Sequence, residues 1–338
     1  MHDRVPVEIL ELILAEGAKM DWHHRLTMPT ASNPRSEFRD VVTWVCRFWR
    51  LVTLNLPSTN LFIHKAKIWA RINLSDGYTF SRSLRYMDRI GRVEPLHIQV
   101  NTKEMLFGYD ERSMPPGIVP RLVEALKTIE RKGGSTSRWK SLHIQVHDHH
   151  GAELLGQFLS EARFYTLESF SIIGPGPFYP GWVPPLERAL DTIEPTIWGS
   201  KASSPQLRSV TLKYFSLRYL LGGVGTLMLS NLTRLELLLL DTYPPPGDLC
   251  LILESSIRLQ VFRLALGNGR WLGEQSDLEP GQERVTLPSL EELSLDKIHS
   301  ALWAHQFFSV VEAPKLNRLG VTTHESCTDG MSGVVSLI

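Results

Sequence analysis

The sequence predicts an α/β fold made of stacked strand–helix repeats, with a small helical segment in front of them. An apolar pattern of the form x-Φ-x-x-Φ-x-Φ, in which Φ is an apolar residue, returns from the middle of the chain to its end. A helical apolar pattern follows most of its copies. A different, helical period in the first sixty residues predicts the segment in front.

The repeated pattern has five clear copies, at Leu207-Val210-Leu212, Leu232-Leu235-Leu237, Leu259-Phe262-Leu264, Leu290-Leu293-Leu295 and Leu316-Leu319-Val321. Two looser copies precede them, at Trp139-Leu142-Ile144 and Leu167-Phe170-Ile172. The clear copies start 25, 27, 31 and 26 residues apart, which is the spacing of leucine-rich repeats. The last two apolar residues of each copy share one face of a short strand, and units must stack to bury them.

Between the strands the apolar period changes from two to about 3.6 residues. Helical spacing occurs at Leu122, Leu126 and Ile129, at Leu249, Ile252, Leu253 and Ile257, and at Leu302, Phe307, Val310 and Val311. We therefore expect helices on the outside of an arc and strands along its concave side. Chance recurrence in a chain with 43% apolar residues is the alternative, and the number of copies disfavours it.

The first sixty residues predict a helical hairpin. After Pro6, which suits a first helical turn, one apolar stripe contains Ile9, Leu10, Ile13 and Leu14. A second helix follows an N-cap at Ser36, with apolar residues at Phe38, Val41, Val42, Val45, Trp49 and Val52. Residues 18–35 read as a loop. The hairpin has too few residues to bury its apolar groups by itself, so it either packs on the repeats or offers a face to a partner.

The composition excludes several classes of protein. The chain has 338 residues, more than one compact core usually supports, and its 36 basic and 36 acidic residues cancel. The chain therefore has no net charge that would attract nucleic acid or an anionic membrane as a partner. Three distant cysteines, Cys46, Cys250 and Cys327, exclude a disulfide framework and a C-x-x-C zinc site. With no apolar run of membrane-spanning length and no signal-peptide pattern, we expect a cytoplasmic or nuclear protein.

Several phrases of the chain resemble a known family. Val5-Pro6-Val7-Glu8-Ile9-Leu10, Val45-Cys46-Arg47-Phe48-Trp49-Arg50, and Pro57 with Leu61-Phe62 are similar to the F-box pattern of Leu-Pro-x-Glu-Ile-Leu, Val-Cys-Arg-x-Trp-Arg and Pro-x-Leu-Trp. The rest resembles the leucine-rich-repeat half of F-box-like proteins that are numerous in fungi. Its matching phrases are Met87-Asp88-Arg89-Ile90 before Pro95-Leu96, Ser137-Arg138-Trp139-Lys140-Ser141-Leu142, and Pro288-Ser289-Leu290-Glu291-Glu292-Leu293.

The resemblance implies an adaptor and not an enzyme. F-box proteins bind a Skp-type linker through this hairpin and so join a cullin–RING ubiquitin ligase, while their repeats capture a protein substrate. Carried over by position, the linker-binding residues are Pro6, Ile9, Leu10, Val45, Cys46 and Trp49. The chain departs from the pattern at Val5 and Phe62 and in its longer loop. A degenerate F-box that only caps the repeats, leaving an interaction scaffold with no ubiquitin role, is the alternative.

This interpretation divides the chain into an F-box-like helical domain at 1–62, a linking helical region at 63–92 and a leucine-rich-repeat domain at 93–325. The residues between the inward positions of each strand face the concave side. They form one row of His143, Ser171, Thr211, Glu236, Arg263, Ser294 and Gly320, and a second row of Gln145, Ile173, Lys213, Leu238, Ala265, Asp296 and Thr322. Neither row is dominated by one charge sign or by aromatic residues, which favours a protein partner over nucleic acid. The predicted substrate-binding residues are Thr211, Lys213, Glu236, Arg263 and Asp296.

A search for catalytic chemistry finds one candidate, the cluster of His143, His147, His149 and His150 around Asp148. Imidazoles at this spacing can share a metal, but no second cluster elsewhere completes a site, so a solvated loop after a strand is the favoured reading. No phosphate-binding, nucleophile-elbow or zinc-protease motif is present. We expect no metal and no cofactor. Glu236 and Arg263, on neighbouring strands, are expected to pair across the sheet rather than act as an acid and a base.

Overall fold

The computed structural model describes part of the chain in detail. The described residues lie at 70–74, 94–101, 118–146, 162–174, 206–214, 230–240, 246–266, 284–298 and 300–323, with isolated residues between 9 and 42 and at 87, 90, 158 and 159. Within this part of the chain, no helix is long and apolar enough to cross a membrane.

The fold is α/β, with a large parallel sheet of nine strands, as the sequence predicts. The sheet has the order β1-β2-β3-β4-β5-β6-β7-β9-β11, so its strands follow one another in space as in sequence. Its strands are β1 Arg71–Leu74, β2 Leu96–Asn101, β3 Trp139–Gln145, β4 Ser169–Ile173, β5 Ser209–Lys213, β6 Arg234–Leu240, β7 Val261–Leu266, β9 Glu292–Ile298 and β11 Arg318–Thr323.

Three α-helices, a short 3₁₀ helix at Thr136–Arg138 and a small second sheet are the other elements with described bounds. The α-helices are α1 Ile118–Arg131, α2 Pro246–Ser255 and α3 Ala301–Val310. The second sheet pairs β8 Val285–Thr286 with β10 Val311–Glu312 in parallel. The chain divides into two compact units, Met1–His143 and Ile144–Ile338.

In the first unit, β1 and β2 pair in parallel, with Ile72 opposite Ile98, and both residues are buried. Neither strand carries the full repeated apolar pattern, but each alternates apolar residues with polar ones. β1 lies in the range 63–92, for which the sequence predicted a linking helical region, so that region is not helical throughout. Helix α1 buries Leu126 and Ile129, as its spacing predicts.

Helix α1 ends in a glycine cap. Gly133 has a φ of +90°, which an L side chain rarely adopts, and its N–H donates to the carbonyl of Glu130 at 2.9 Å. The Gly134 N–H donates to Ile129 at 2.9 Å, which completes a Schellman motif. A Cβ at Gly134 would lie 2.5 Å from the Ile129 side chain, so this position requires glycine. The cap leads the chain into β3, where the Trp139 indole N–H donates back to the Gly134 carbonyl at 2.9 Å.

In the second unit, the predicted inward residues form a continuous core. They are buried in every copy from the second loose one to the fourth clear one, at Leu167, Phe170, Ile172, Leu207, Val210, Leu212, Leu232, Leu235, Leu237, Leu259, Phe262, Leu264, Leu290, Leu293 and Leu295. The Cα register places Val210, Leu235, Phe262, Leu293 and Leu319 opposite one another. The last copy differs. Leu316, Leu319 and Val321 are only half-buried, because β11 ends the strand order and no further described strand packs beyond it.

The helices of this unit confirm the predicted positions in part. Leu249, Ile252 and Leu253 are buried on α2, but Ile257 is 57% exposed because it lies beyond the helix end at Ser255. On α3, Phe307 and Val310 are buried and stack against the core, with the Phe307 ring 6.2 Å from Phe262.

Two further details of α3 correct the prediction. Leu302 is exposed at the first turn, where Ser300 caps the helix by accepting a hydrogen bond from the Trp303 N–H at 3.2 Å. Val311, predicted as part of the helical stripe, belongs to strand β10. The predicted helix is therefore correct in type, but its first turn leaves Leu302 exposed and it ends at Val310, before Val311.

Three strands of this unit have a residue with left-handed backbone at or near their ends. Tyr214, Leu239 and Lys297 have φ values of 55°, 54° and 58°, and each follows the last regularly paired residue of β5, β6 or β9. The register shifts at Leu239 and Lys297, where one strand has an extra residue, so these are β-bulges. Non-glycine residues in this region are strained by roughly 1 kcal/mol or more.

The described N-terminal residues are helical at Ile9, Leu10, residues 12–14, Glu16 and Gly17, and again at Val41 and Val42. Met20 and Asp21, which the sequence placed in the loop 18–35, are also helical, so residues 18–35 are not a loop throughout. The residues of the predicted apolar stripe differ in burial. Leu10 and Leu14 are buried, whereas Ile9 and Ile13 are about half exposed. The rest of the predicted hairpin lies outside the described residues.

The first testable prediction concerns the core. Leu235→Ala removes a fully buried side chain from β6, and we expect a loss of about 2–5 kcal/mol in the free energy of unfolding, measured by urea denaturation. Leu238→Ala is the matched control, because it changes the same residue type on the outward face of the same strand. The control should cost less than about 1 kcal/mol. Equal losses for the two variants would contradict the register.

The second prediction concerns backbone strain at the bulge in β9. Lys297 is exposed and left-handed, so Lys297→Gly should leave stability unchanged or raise it by up to about 1 kcal/mol. Glu291→Gly, at an exposed residue without positive φ, should lower stability by about 0.5–1 kcal/mol because glycine gains freedom in the unfolded chain. Thermal melts of both variants test this, and a larger loss at Lys297 than at Glu291 would contradict it.

Candidate protein-interaction surface

The outward residues of the second unit's strands form the candidate surface. Side chains along a strand alternate between its two faces, so burying Leu235 and Leu237 places Arg234, Glu236 and Leu238 on the other face. The same alternation of half-exposed and buried residues is found in β4 and β5. The pattern that builds the core therefore also fixes which residues a partner can reach.

The parallel register aligns these outward residues into three rows. The start row, nearest the beginning of each strand, is Ser209, Arg234, Val261, Glu292 and Arg318. The middle row is Ser171, Thr211, Glu236, Arg263, Ser294 and Gly320, as the sequence predicts. The end row is Ile173, Lys213, Leu238, Ala265 and Asp296, as predicted for these strands, whereas the predicted Thr322 lies at the register shift between Val321 and Thr323. The start row was not identified from the sequence, although it has the same two-residue spacing.

Five charged side chains of the start and middle rows form what we call the charged ladder: Arg234, Glu236, Arg263, Glu292 and Arg318. Glu236 Oε1 lies 2.6 Å from Arg234 Nη2 and 3.4 Å from Arg263 Nη1. The predicted pairing of Glu236 with Arg263 across the sheet is thus confirmed. The other glutamate oxygen, Oε2, accepts a hydrogen bond from the Thr211 hydroxyl at 3.1 Å.

The strongest contacts of the ladder join Arg263 to Glu292, which the sequence prediction did not include. Arg263 donates from Nε at 2.9 Å and from Nη2 at 2.6 Å to the same oxygen, Glu292 Oε1. Arg318 Nη1 lies 3.4 Å from the other oxygen, Oε2. Arg263 therefore bridges two carboxylates on the strands to either side of it.

These contacts shift the pKa values of the bonded pair in opposite directions. The hydrogen bonds from Arg263 lower the pKa of Glu292 below its ordinary value of 4.5, although partial burial acts the other way. The same hydrogen bonds raise the pKa of Arg263. Both groups are therefore held in their charged forms at neutral pH, and neither is tuned to exchange protons there.

The two remaining predicted substrate-binding residues lie in the end row. Asp296 accepts hydrogen bonds from the Ser294 hydroxyl at 3.1 Å and from the Thr322 hydroxyl at 3.2 Å. Lys213 places its ammonium group 5.4 Å from the centre of the Tyr214 ring. All five predicted residues therefore lie on one exposed face. Glu236 and Arg263 belong to the ladder, Thr211 donates to Glu236, Lys213 lies near the Tyr214 ring, and Asp296 accepts from two hydroxyl groups.

The predicted histidine cluster is described only at His143, because His147, His149 and His150 lie outside the described residues. Burial lowers the pKa of His143 to about 4. A polar contact that the sequence did not indicate lies in the same unit, where His97 Nδ1 is 2.8 Å from the Ser141 hydroxyl. Burial and the nearby cations Arg71 and Lys140 lower the pKa of His97 to about 4. Among the described residues, no three histidine, cysteine or acidic side chains are grouped to hold a metal.

The predicted linker-binding residues are described only in part. Ile9 is 47% exposed, and Leu10 is buried. Leu12, Ile13 and Met20 are exposed together with Ile9, whereas Leu14 is buried with Leu10. Pro6, Val45, Cys46 and Trp49 lie outside the described residues, and contact with a linker stays a prediction for the whole set.

Comparison of the chain with protein-family models finds no matching family, and comparison with curated proteins finds no match. Its function is therefore argued from its own residues.

The third prediction is a pH dependence. Because the pKa of Glu292 is lowered on folding, its ionised form stabilises the fold above about pH 4.5, and this contribution disappears as the pH falls through the folded-state pKa. Glu292→Gln should therefore cost about 0–1 kcal/mol at pH 7, discounted for solvent exposure, and nothing at pH 2. Urea denaturation at both pH values measures the difference.

Glu291→Gln is the matched control for this variant. Glu291 directly precedes Glu292 in the chain, is exposed and lies outside the ladder. The control removes an exposed glutamate and no ladder contact, so it should cost less than Glu292→Gln at pH 7. A loss at Glu292→Gln that is the same at pH 2 and pH 7 would show that the ionised carboxylate is not the stabilising form.

Proposed function

We propose that the protein is a substrate-recognition adaptor of an SCF-type ubiquitin ligase. In this proposal, an F-box-like N-terminal region binds a Skp-type linker and through it a cullin. A leucine-rich-repeat domain binds a protein substrate, and the protein works in the cytoplasm, the nucleus or both. The observation that carries the proposal is the F-box-like pattern at the N-terminus, together with the exposed apolar face of its first helical segment.

The exposure pattern of the N-terminal residues supports linker binding. Ile9, Leu12 and Ile13 are each about half exposed, whereas Leu10 and Leu14 are buried. A helical segment that is apolar on both faces and buries only one of them has a free apolar face, which is typical of an interaction site. Within the F-box resemblance, this face is the one that would receive the linker.

The sheet of the second unit supports the repeat assignment. Each of β5, β6, β7, β9 and β11 follows the previous strand in space, and all of them pair in parallel. The corresponding apolar positions start 25–31 residues apart, and their side chains are buried except in the final copy. This is the architecture expected when each repeat is buried by its neighbours.

The exposed rows support a protein substrate. Their charged side chains are bonded to neighbours on the same strand or on adjacent strands, so a partner would meet a preorganised surface and lose less side-chain entropy on binding. A repeat scaffold without any ubiquitin role would use the same surface and would not bind a linker. The two functions therefore differ at the N-terminal segment and not at the sheet.

The fourth prediction tests that segment. Replacing Ile9 and Ile13 together by Glu would place two charges in an apolar interface, so we expect co-purification of a Skp-type linker with the full-length chain to fall at least tenfold. Both residues are already exposed, so the thermal melt should change little. An unmodified chain that never retains the linker would contradict the adaptor function and favour the scaffold.

The matched control is Leu251→Glu. Leu251 is 53% exposed on α2 in the second unit, so this variant makes the same kind of change outside the N-terminal segment. Linker retention by this variant should equal that of the unmodified chain. Equal losses in both variants would show a general effect of surface charge and would not support a linker site at Ile9 and Ile13.

A further inference from the structure

The charges on the exposed face of the second unit are nearly balanced in number but not in accessibility. The three rows of β5, β6, β7, β9 and β11 carry four cations and three carboxylates, a net charge of one positive unit. The cations are Lys213, Arg234, Arg263 and Arg318, and the carboxylates are Glu236, Glu292 and Asp296. In the ladder, the arginine side chains are 40–73% exposed, whereas Glu236 and Glu292 are only 13% and 15% exposed.

Each carboxylate oxygen on this face already has a partner. Each oxygen of Glu236 and Glu292 lies within hydrogen-bond or ion-pair distance of an arginine or of the Thr211 hydroxyl. Each oxygen of Asp296 accepts from a hydroxyl group of a neighbouring residue. A basic partner would therefore meet carboxylates that are already bonded and, in the ladder, mostly covered.

The arginines at the two ends of the ladder have N–H donors with no partner among the described residues. A guanidinium group has five N–H donors, and among the described residues Arg234 donates one hydrogen bond, from Nη2 to Glu236. Arg318 contacts Glu292 at 3.4 Å through one nitrogen and is 73% exposed. The more exposed bonding capacity of the ladder is therefore cationic and of the donor type.

We propose that this face binds an extended acidic segment of a protein partner, with carboxylates of that segment at Arg234, Arg263 and Arg318. This inference rests on the proposed function, in which the repeats receive a protein substrate, and it names the chemical class of that substrate. Arginine guanidinium groups bind carboxylates in bidentate geometry, and the ladder glutamates hold the Arg263 and Arg234 side chains in place for such contacts.

The spacing of the arginines fits an extended chain that crosses the strands. Arg234 and Arg318 belong to the same row, on strands β6 and β11, which are three strand steps apart in the sheet. At about 4.8 Å per step, their backbones lie about 14 Å apart. An extended peptide advances about 3.3 Å per residue and presents alternate side chains on one side, so acidic residues at i, i+2 and i+4 span this distance.

The experiment measures binding of short labelled peptides to the full-length chain by fluorescence anisotropy. The probe is an extended peptide with glutamates at i, i+2 and i+4, and the matched peptide has lysines at the same positions. We expect the glutamate peptide to bind at least tenfold more tightly, and its affinity to fall as potassium chloride is raised from 50 to 300 mM because salt screens exposed charges.

The variants locate the site. Arg234→Gln combined with Arg318→Gln should weaken binding of the glutamate peptide at least tenfold, and Arg234→Lys combined with Arg318→Lys should recover part of the loss by restoring charge. Arg258→Gln is the matched control, because Arg258 is an exposed arginine in the turn before β7 that donates to Asn231 at 3.2 Å. It should change the affinity less than twofold. Thermal melts check that every variant is folded.

Three outcomes would overturn the inference: equal binding of the lysine peptide, unchanged binding by the double glutamine variant, or no binding of the glutamate peptide to the folded chain. A phosphothreonine peptide without glutamates serves as a further arm, and its binding in place of the glutamate peptide would overturn the assignment to carboxylates. Linker retention is measured separately through Ile9 and Ile13, so failure of the acidic-segment site and failure of the adaptor function are distinguishable.

Discussion

The constraint on which the second unit depends is that no strand buries its own inward side chains. Leu235 and Leu237 of β6 are inaccessible to solvent because β5 and β7 lie on either side in register, and the same holds for each interior strand. The edge strand shows the converse. Leu319 and Val321 of β11 have the same sequence pattern and a described neighbouring strand on one side only, and they remain half-buried. Stacking of neighbouring strands therefore buries the inward apolar side chains that a single repeat would leave exposed.

The same constraint produces the exposed face. Because register fixes the inward residues, it also fixes the outward ones, so charged residues that are 27 to 29 positions apart in sequence meet as neighbours on adjacent strands. Arg263 contacts a glutamate on each side through this alignment alone. The result is a surface whose carboxylates are largely covered and whose guanidinium groups reach solvent, and this difference links the fold to the kind of partner we propose.

Much of this architecture could be predicted from the sequence, because a period of two residues inside a repeat of 25–31 residues specifies both strand faces and strand order. Leu293 and the middle row, including Glu236 and Arg263, were identified in this way. Strands β1 and β2 were not, since a short alternation such as that of Ile72 and Leu74 lacks the repeated spacing that distinguishes it from chance. The N-terminal stripe was predicted as one apolar face. Adjacent positions on a helix point 100° apart, so Leu10 and Leu14 are buried while Ile9 and Ile13 are about half exposed.

The candidate surface was less predictable than the fold. Counting charges along a row gives near balance, and only the side-chain contacts show that Glu292 is covered by Arg263 while Arg318 is exposed. Side-chain reach explains why: a guanidinium on a long side chain extends beyond the shorter glutamate that it contacts. Apolar spacing was also a poor guide near helix ends. Ile257 continues a helical apolar spacing although α2 ends at Ser255, and Leu302 does so in the first turn of α3, after the cap at Ser300, where it is exposed.

Native-state amide hydrogen exchange tests the central claim most directly, namely that interior strands of the second unit are mutually dependent. The account predicts that the amides of Val210, Leu235, Phe262 and Leu293 open with free energies within about 1 kcal/mol of one another, because losing one strand exposes the core of its neighbours. Amides of β11 should open at a lower free energy, since their strand is half-buried. Exchange of β6 or β7 at the rate of exposed turns, while neighbouring strands stay protected, would contradict the account.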